Sequence, residues 1–505
     1  MKKKLAKAAT VIMIMTLVNK VIGFLRDALV GSAFGTTFQT DAYNIAMNVS
    51  DFLFIMISLV ITTTFIPILS DTLNKKGKDE MFKFANNIMN IVSLIGVILI
   101  ILGMIFTPFI VKIMASQATG ETFELAVKLT RISIVSIIFL IMHSGYTAIL
   151  QTLDDFLGPT VVGLIFNLPV IIYIIFGAGG GIYGLTIATV IGGILRAVAQ
   201  IPFLHKHGFK ITPILDFKDS RIKKMILLIL PVIIGATANQ INKLVDQNLA
   251  SGLDYGSISA LSYGQRVSDV IYATFAVAII TVIFPTLSRA ISEKDEVKFV
   301  GYIEKGINNM NLILLPCSVG LILLSTPIVT IIFKHGNFDD RSVQMTSAAL
   351  MFYSIGIPFF GLREIFNKSL YAMQDTKSST INGIIAVVIN IIFNFLLIGK
   401  LGIKGIALAT SIASAIASLL LFINLNNKVK NINLKDISIT TIKIIISVVV
   451  MAIVVKTSYN AIMGINILLA VTISTVLGMI TYSICLFALK VNEFKELIKF
   501  NKVIK

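Results

Sequence analysis

The sequence predicts an all-α polytopic membrane protein of fourteen transmembrane helices, arranged as two six-helix lobes with two further helices at the C-terminus. Three observations carry that reading. First, 56% of the 505 residues are hydrophobic and 14% charged, where soluble domains carry about a quarter charged. Second, apolar runs of about 20 residues, enough to cross the hydrocarbon of a bilayer, recur from end to end. Third, Lys and Arg concentrate in alternate connections, as the positive-inside rule requires.

The runs fall at 10–33, 42–70, 85–114, 124–150, 159–178, 182–203, 224–250, 259–287, 305–333, 343–371, 381–399, 403–425, 438–457 and 464–489. The first follows Met-Lys-Lys-Lys but passes into Gly-Phe-Leu-Arg-Asp without a small-residue cleavage site. It therefore reads as a retained span and not as a signal peptide. Basic residues in the tails and in the loops at 71–83, 204–224, 288–298, 374–379 and 426–437 number 26. The opposite side carries five: Lys334, Arg341, Lys400, Lys404 and Lys456. Both termini are thereby placed in the cytoplasm. The net charge of +17 follows from this topology and from anionic lipid head groups, with no nucleic-acid partner expected. Cys317 and Cys485 lie in apolar runs and form no metal or disulfide pattern.

The chain also resembles itself at a shift near 220 residues. Asp27 falls on Asp246, and Phe-Ile-Pro-Ile-Leu-Ser around Pro67 on Phe-Pro-Thr-Leu-Ser around Pro285. Asp-x4-Thr-x2-Gly at Asp155 returns at Asp375, and Gly-Ile-Tyr-Gly-x3-Ala-Thr at 181–189 returns at 402–410 with Lys for Tyr. The expected domains are residues 1–222 (spans 1–6), 223–430 (spans 7–12), and 431–505 (spans 13 and 14 with the tail). An even number of spans per copy makes the repeats parallel. Parallel repeats with a site between them are a carrier's architecture.

Ionisable residues inside a span cost free energy unless they face protein or water, so each is a candidate site. In span 1, Asn19, Gly23 and Arg26 share a stripe beside Lys20 and Asp27. In span 2, Asn44, Asn48 and Asp51 follow Asp41, and span 8 carries Ser262, Arg266 and Asp269 at i, i+4, i+7. Guanidinium matches phosphate oxygens with a planar fork, so Arg26 and Arg266 suit an anionic phosphate or pyrophosphate. The alternative is neutralisation by Asp27 and Asp269. Arg131 and Arg196, nearer span ends, read as snorkelling side chains, and Glu364–Lys368 as an i, i+4 ion pair. Asn239, Asn242 and Asp246 in span 7, Asn390 and Asn394 in span 11 and Thr410 in span 12 form an oxygen-rich group. It reads either as a Na⁺ site or as polar glue between helices.

Asn-Lys-Val-Ile-Gly-Phe-Leu-Arg-Asp (19–27), Thr-Asp-Ala-Tyr (40–43), Phe-Ile-Pro-Ile-Leu (65–69), Tyr-Gly-Gln-Arg (263–266), Phe-Tyr-Ser-Ile-Gly-Ile-Pro (352–358) and Tyr-Ala-Met-Gln-Asp-Thr (371–376) resemble the MurJ (MviN) lipid II flippases of the MOP superfamily. The resemblance implies a fold similar to MATE exporters. It also implies a non-enzymatic function in the bacterial cytoplasmic membrane: carrying undecaprenyl-pyrophosphate-linked peptidoglycan precursor from the inner to the outer leaflet. It places Arg26, Arg266 and Lys20 at the pyrophosphate; beside them Asp27 and Asp269 are expected to orient the cations and Asp41 to gate. Lys20 stands where arginine is usual, and the family's arginine in span 2 has no match at Leu53 or Phe54. Na⁺, where bound, would take Asp246, Asn390, Asn394, Thr410 and the carbonyl of Ile406, with no other cofactor. Lipid II and membrane lipids are the partners implied, for a monomer in contact with cell-wall machinery. A flippase for another polyprenyl-linked oligosaccharide and a MATE-type drug/cation antiporter are the alternatives. The second predicts an acidic, aromatic-lined cavity where these candidates are mainly basic. A transferase would need a cytoplasmic carboxylate cluster, and Asp154-Asp155 has no doublet in its copy at Gln374-Asp375.

Overall fold

The computed structural model describes residues 2–429 and 431–496, with the side chains of 2–14, 224 and 227–239 left aside. Every expected apolar run lies on helix. In order these are α1 (Lys2–Phe34), α2 (Phe38–Val60), a π-helical turn (Ile61–Phe65), α3 (Ile66–Lys76), α4 (Lys78–Ile105), α5 (Thr107–Met114), α6 (Gly120–Ser133), α7 (Ser136–Thr152), α8 (Leu157–Ile175), α9 (Gly181–Val198) and α10 (Ile201–Lys206). Then follow α11 (Ser220–Ala250), α12 (Ser257–Ser292), α13 (Glu296–Leu323), α14 (Ser325–Phe333), α15 (Asp340–Ala372), α16 (Thr376–Leu401), α17 (Ile403–Lys428), α18 (Leu434–Ile462) and α19 (Ile467–Ala488). No strand occurs among the described residues. Eleven helices among them are long and apolar enough to cross a membrane, or twelve counting α6 and α7, bent by 45°, as one span. The remaining expected runs lie on α1 and α11.

Breaks within runs have local causes. The π-helical turn precedes Pro67, where a missing amide forces the ladder to readjust. Faces that would strip lipid from water are apolar and uncovered: Leu94, Ile98, Ile101 and Ile105 on α4, and Ile442, Val449 and Ile453 on α18, are all exposed. In water such a surface would aggregate; in a bilayer it is solvated.

The chain divides into two compact units, Met1–Ser259 with His335–Phe338, and Ala260–Lys334 with Asp339–Lys505. Packing thus places α11 in the first unit, whereas the sequence repeat begins a new copy near 223. Side chains near the end of α11 show why. Asn48 hydrogen-bonds Gln247, Asn248 donates to the Ile113 carbonyl at 3.0 Å, and Ser116 donates to Asn248 at 2.8 Å.

The first unit has its core where Phe65, Leu69, Met81, Phe84, Tyr146 and Phe209 meet. Phe209 arrives on an extended segment that crosses α4, and three asparagines of α4 hold it. Asn86 donates to the Lys210 carbonyl and accepts from Thr212 N, both at 2.9 Å. Asn87 does the same with Asp216, at 2.8 and 2.6 Å, and Asn90 donates to Thr212 and Ile214. Buried amides satisfy a backbone that has no ladder of its own. Asn87→Ala strands both Asp216 groups and costs about 1–3 kcal/mol locally. Limited proteolysis of the detergent-solubilised protein should then cut at Lys210 or Lys218 where the wild type resists; equal resistance would refute this account.

In the second unit α18 and α19 pack on α13 through Leu312, Ile444, Val448, Met451, Val455, Tyr482 and Leu486, and Tyr482 donates to the Leu312 carbonyl at 2.7 Å.

The repeat is visible in contacts. Asp155, in the first Asp-x4-Thr-x2-Gly motif, pairs with His207 just past α10 at 2.9 Å; Asp375, in the second, pairs with Lys428 at the end of α17. Each carboxylate also caps the helix it precedes, accepting from Gly158 N and Ser378 N. Hydrogen bonds from Lys428 and Ser378 hold the Asp375 carboxyl down at about 2.

Candidate functional site

Helix α8 lies against α1 and α9, and small residues permit both contacts. Asn19 of α1 donates to the Thr160 carbonyl at 2.7 Å, and a Cβ on Gly163 would stand 2.7 Å from the Asn19 amide. On the other flank a Cβ on Gly192 of α9 would meet the Phe166 carbonyl oxygen at 2.4 Å. Backbones this close need glycine. The consequence is that arginines on α1 and α9 reach one ring on α8. The guanidinium carbon of Arg26 lies 5.6 Å from the centre of Phe166 and that of Arg196 lies 5.5 Å from it. Arg196 also lies 5.1 Å from the centre of Phe54 on α2.

Arg26 is bonded to its neighbour. Nη2 and Nε donate to the same Asp27 oxygen, Oδ1, at 2.7 and 3.1 Å, with both side chains about 15% exposed or less. The Nη1 edge is not engaged by Asp27. Asp51 acts on Arg26 and on Arg196 through space. Tyr43 closes the group, its hydroxyl 2.9 Å from that of Thr189. Lys20 is exposed on α1, six residues before Arg26. Of the expected substrate residues, the first unit therefore gathers Arg26 and Asp27, with Lys20 on the same helix.

Asp41 has a different environment. It is 4% exposed and accepts from Gly256 N at 2.6 Å, Ser259 N at 2.8 Å and the Ser259 hydroxyl at 2.7 Å. Sitting in the first turn of α2, it also serves the positive end of α12. Gly256 has φ +86°, and a Cβ there would meet the Thr36 carbonyl at 2.2 Å, so this clasp requires glycine.

In the second unit Arg266 and Asp269 are exposed on α12. Asp269, Arg363 and Glu364 all act electrostatically on Tyr272, and Glu364 pairs with Lys368 at 3.3 Å as expected. The oxygen-rich group is also partly assembled here. Asn394 donates to Asn390 Oδ1 at 2.8 Å, Asn390 to Thr410 at 3.2 Å, and Thr410 to the Ile406 carbonyl at 3.2 Å. Asn390, Asn394 and Ile406 are buried. Neutral hard oxygens of this kind fit Na⁺. Asp246, the one carboxylate expected in the set, belongs to α11 in the first unit, and the side chain of Asn239 lies outside the described residues. Among the described residues no cluster of three or more His, Cys, Asp or Glu could hold a metal ion.

Sequence reading missed two arginines. Arg196, expected to reach the head groups, turns onto two rings. The signal was its own stripe, where Gly192 and Thr189 stand at i−4 and i−7, a protein-facing pattern and not a lipid-facing one. Arg363 was overlooked beside the more regular Glu364–Lys368 pair.

Residues 30–473 match the family described as lipid II flippase MurJ. The chain belongs to the MurJ family. It is accordingly a lipid II flippase of the bacterial inner membrane, a multi-pass transporter and not an enzyme, and it serves peptidoglycan synthesis. The probable lipid II flippase MurJ of Vibrio cholerae serotype O1 is 30% identical over 435 residues, spanning 83% of this chain and 82% of that protein. The lipid II flippase MurJ of Burkholderia cenocepacia is 26% identical over 423 residues, 82% of each. A solved lipid II flippase MurJ in an inward closed conformation superposes with a TM-score of 0.83 at 29% identity, covering 98% of this chain and all of that one. An inward-facing MATE transporter of the MOP superfamily superposes at 0.70 with 16% identity over 81% of this chain and 94% of its own, a likeness of fold alone. The expected family and its MATE-like fold are thereby borne out.

Proposed function

We propose that this MurJ-family flippase works by alternating access between two six-span lobes, residues 1–222 and 223–430. Residues 431–505 add spans 13 and 14 to a total of fourteen, in a monomer with both termini cytoplasmic. The observation that carries the reading is Arg26. It is an ion-paired guanidinium inside a span, with one edge not engaged by Asp27, as binding of an anion from a membrane-embedded cavity requires.

Arg26, Arg266 and Lys20 take the pyrophosphate. Asp27 and Asp269 orient the cations, and Asp41 gates. The polyprenyl tail stays in the bilayer beside α18 and α19, whose outer faces are apolar. Ligand charge cancels repulsion between the arginines and lets the cavity close. An inside-negative potential favours return of the emptied cationic cavity by about 2.3 kcal/mol per charge per 100 mV. The charge asymmetry of the loops, 26 basic residues against five, supports the orientation.

Na⁺ would be held by Asp246, Asn390, Asn394, Thr410 and the Ile406 carbonyl. When bound it would supply positive charge that couples the ion gradient to the lobes. The buried chain from Asn394 to Ile406 supports this set.

The test is replacement of the native flippase in a depletable host, scored by outer-leaflet lipid II in sodium and in potassium media. Rescue in both media with stronger transport in sodium is expected. Equal transport in both refutes the Na⁺ set alone. No rescue by a well-inserted chain in a compatible host transfers the substrate to another polyprenyl-linked oligosaccharide.

A further inference from the structure

We propose that Arg196 is a second pyrophosphate ligand of the first unit, presented by α9 beside the same Phe166 ring that Arg26 approaches. The proposal rests on the reading of Arg26 as a pyrophosphate ligand and extends it to a residue no sequence motif marks.

Arg26 alone is a poor match for a diphosphate. Two of its donors are directed at Asp27 Oδ1 and are committed to its own neighbour. Arg196 differs. Its Nε is shut off from solvent and has no hydrogen-bond partner among the described residues. A buried guanidinium donor left unmatched is costly and is stabilised when an anion arrives. No carboxylate is ion-paired with it among the described residues, and its contacts are two aromatic faces, Phe54 and Phe166. These hold the guanidinium plane by cation–π attraction without using its hydrogen-bond donors.

The mount is rigid. Gln200 donates from Nε2 to the Arg196 carbonyl at 3.3 Å, lies 2.6 Å from His143 Nδ1 and accepts from Thr147 at 3.0 Å. Gly192, one turn before Arg196, fixes α9 against α8. The two arginines share Phe166 at nearly equal distances. Their guanidinium carbons are therefore no more than 11.1 Å apart, a span that the two phosphoryl groups of a diphosphate bridge better than one monophosphate. Asp51 is exposed and acts on both arginines. Its carboxylate opposes an incoming anion, which gives the proposal a second, opposite prediction.

The experiment measures binding of radiolabelled lipid II, undecaprenyl diphosphate, undecaprenyl phosphate and inorganic pyrophosphate to the full chain in nanodiscs. Arg196→Gln should weaken both lipid diphosphates about tenfold or more, as loss of a charge-assisted contact does, and change undecaprenyl phosphate far less. Arg196→Lys keeps the charge but lacks Nε and the plane, and should fall between. Asp51→Asn should tighten the diphosphates several-fold. Inorganic pyrophosphate competing with lipid II in the wild type but not in Arg196→Gln would assign the contact to the diphosphate itself. Failure to compete, with both lipid diphosphates still weakened, would assign it to the lipid-borne group.

Wild-type affinity in Arg196→Gln and Arg196→Lys, with Arg26→Ala binding lost, overturns the role of Arg196 and leaves that of Arg26. Wild-type affinity in Arg26→Ala overturns the underlying reading. A loss confined to lipid II, with undecaprenyl diphosphate unaffected, assigns Arg196 to the sugar or peptide and also overturns the proposal. Should Arg196→Gln fail to insert, Arg196→Lys and Asp51→Asn decide: unchanged affinity in both refutes it.

Discussion

Arg26→Ala is expected to lower outer-leaflet lipid II at least a hundredfold while the protein still inserts. The substitution does more than remove one ligand. It leaves Asp27, 13% exposed, without the guanidinium that holds it. Removing one partner of a fully buried pair costs about 3–5 kcal/mol, an upper bound for this partly buried one, and the carboxylate then repels the pyrophosphate. A defect in transport could therefore reflect a damaged helix or a lost ligand, and a second variant separates them. Arg26→Ala with Asp27→Asn removes both charges, so stability should recover by most of that cost while transport stays lost. Arg26→Lys keeps the charge but cannot bond Asp27 and address phosphate with one planar fork; about a tenfold loss is expected. Melting temperature in detergent and outer-leaflet lipid II are the two readouts. Transport restored by the double variant would show that Arg26 serves only to neutralise Asp27.

How far the sequence alone reached depends on whether a feature is local. Apolar runs, the repeat and the stripe from Asn19 to Arg26 are one-dimensional, and each survives as helix in the structure. The Glu364–Lys368 pair, set by helical spacing alone, forms as expected. Arg196 was misread because its environment is supplied by other helices: Phe54 from α2 and Phe166 from α8. Proximity to a span end suggested water, but Gly192 brings the helix against α8 so closely that the side chain meets rings first. The place of α11 was equally non-local. Sequence repeats report ancestry, whereas its packing is decided by Gln247 and Asn248 meeting Asn48, Ser116 and Ile113. The extended segment from Phe209 onward has no periodicity to read. It is fixed by Asn86, Asn87 and Asn90, which in sequence are only polar residues at the start of an apolar run.

Asp41→Ala is expected to lower the melting temperature in detergent and to loosen the start of α12, because the carboxylate is a hub and not a surface charge. Three donors converge on it, two of them backbone amides. Bonds to an ionised acceptor are worth about 1.5–3 kcal/mol each. Alanine leaves Gly256 N and Ser259 N buried without that acceptor, so a total near 4 kcal/mol is expected after partial hydration. Asn44, which donates to the Ser259 hydroxyl at 3.1 Å, holds the remainder. Asp41→Asn is no rescue, since its amide turns two donors toward donors, and about half the loss should persist. If the clasp gates the cavity, its loss shows as access as well as instability. A cysteine replacing Ser257, a residue 1% exposed, should react slowly with an impermeant maleimide in the parent chain. In Asp41→Ala it should react at least tenfold faster. Faster labelling with reduced transport fits a gate that no longer closes. Unchanged labelling at a lowered melting temperature would reduce Asp41 to a helix cap, and unchanged values of both would remove it from the mechanism.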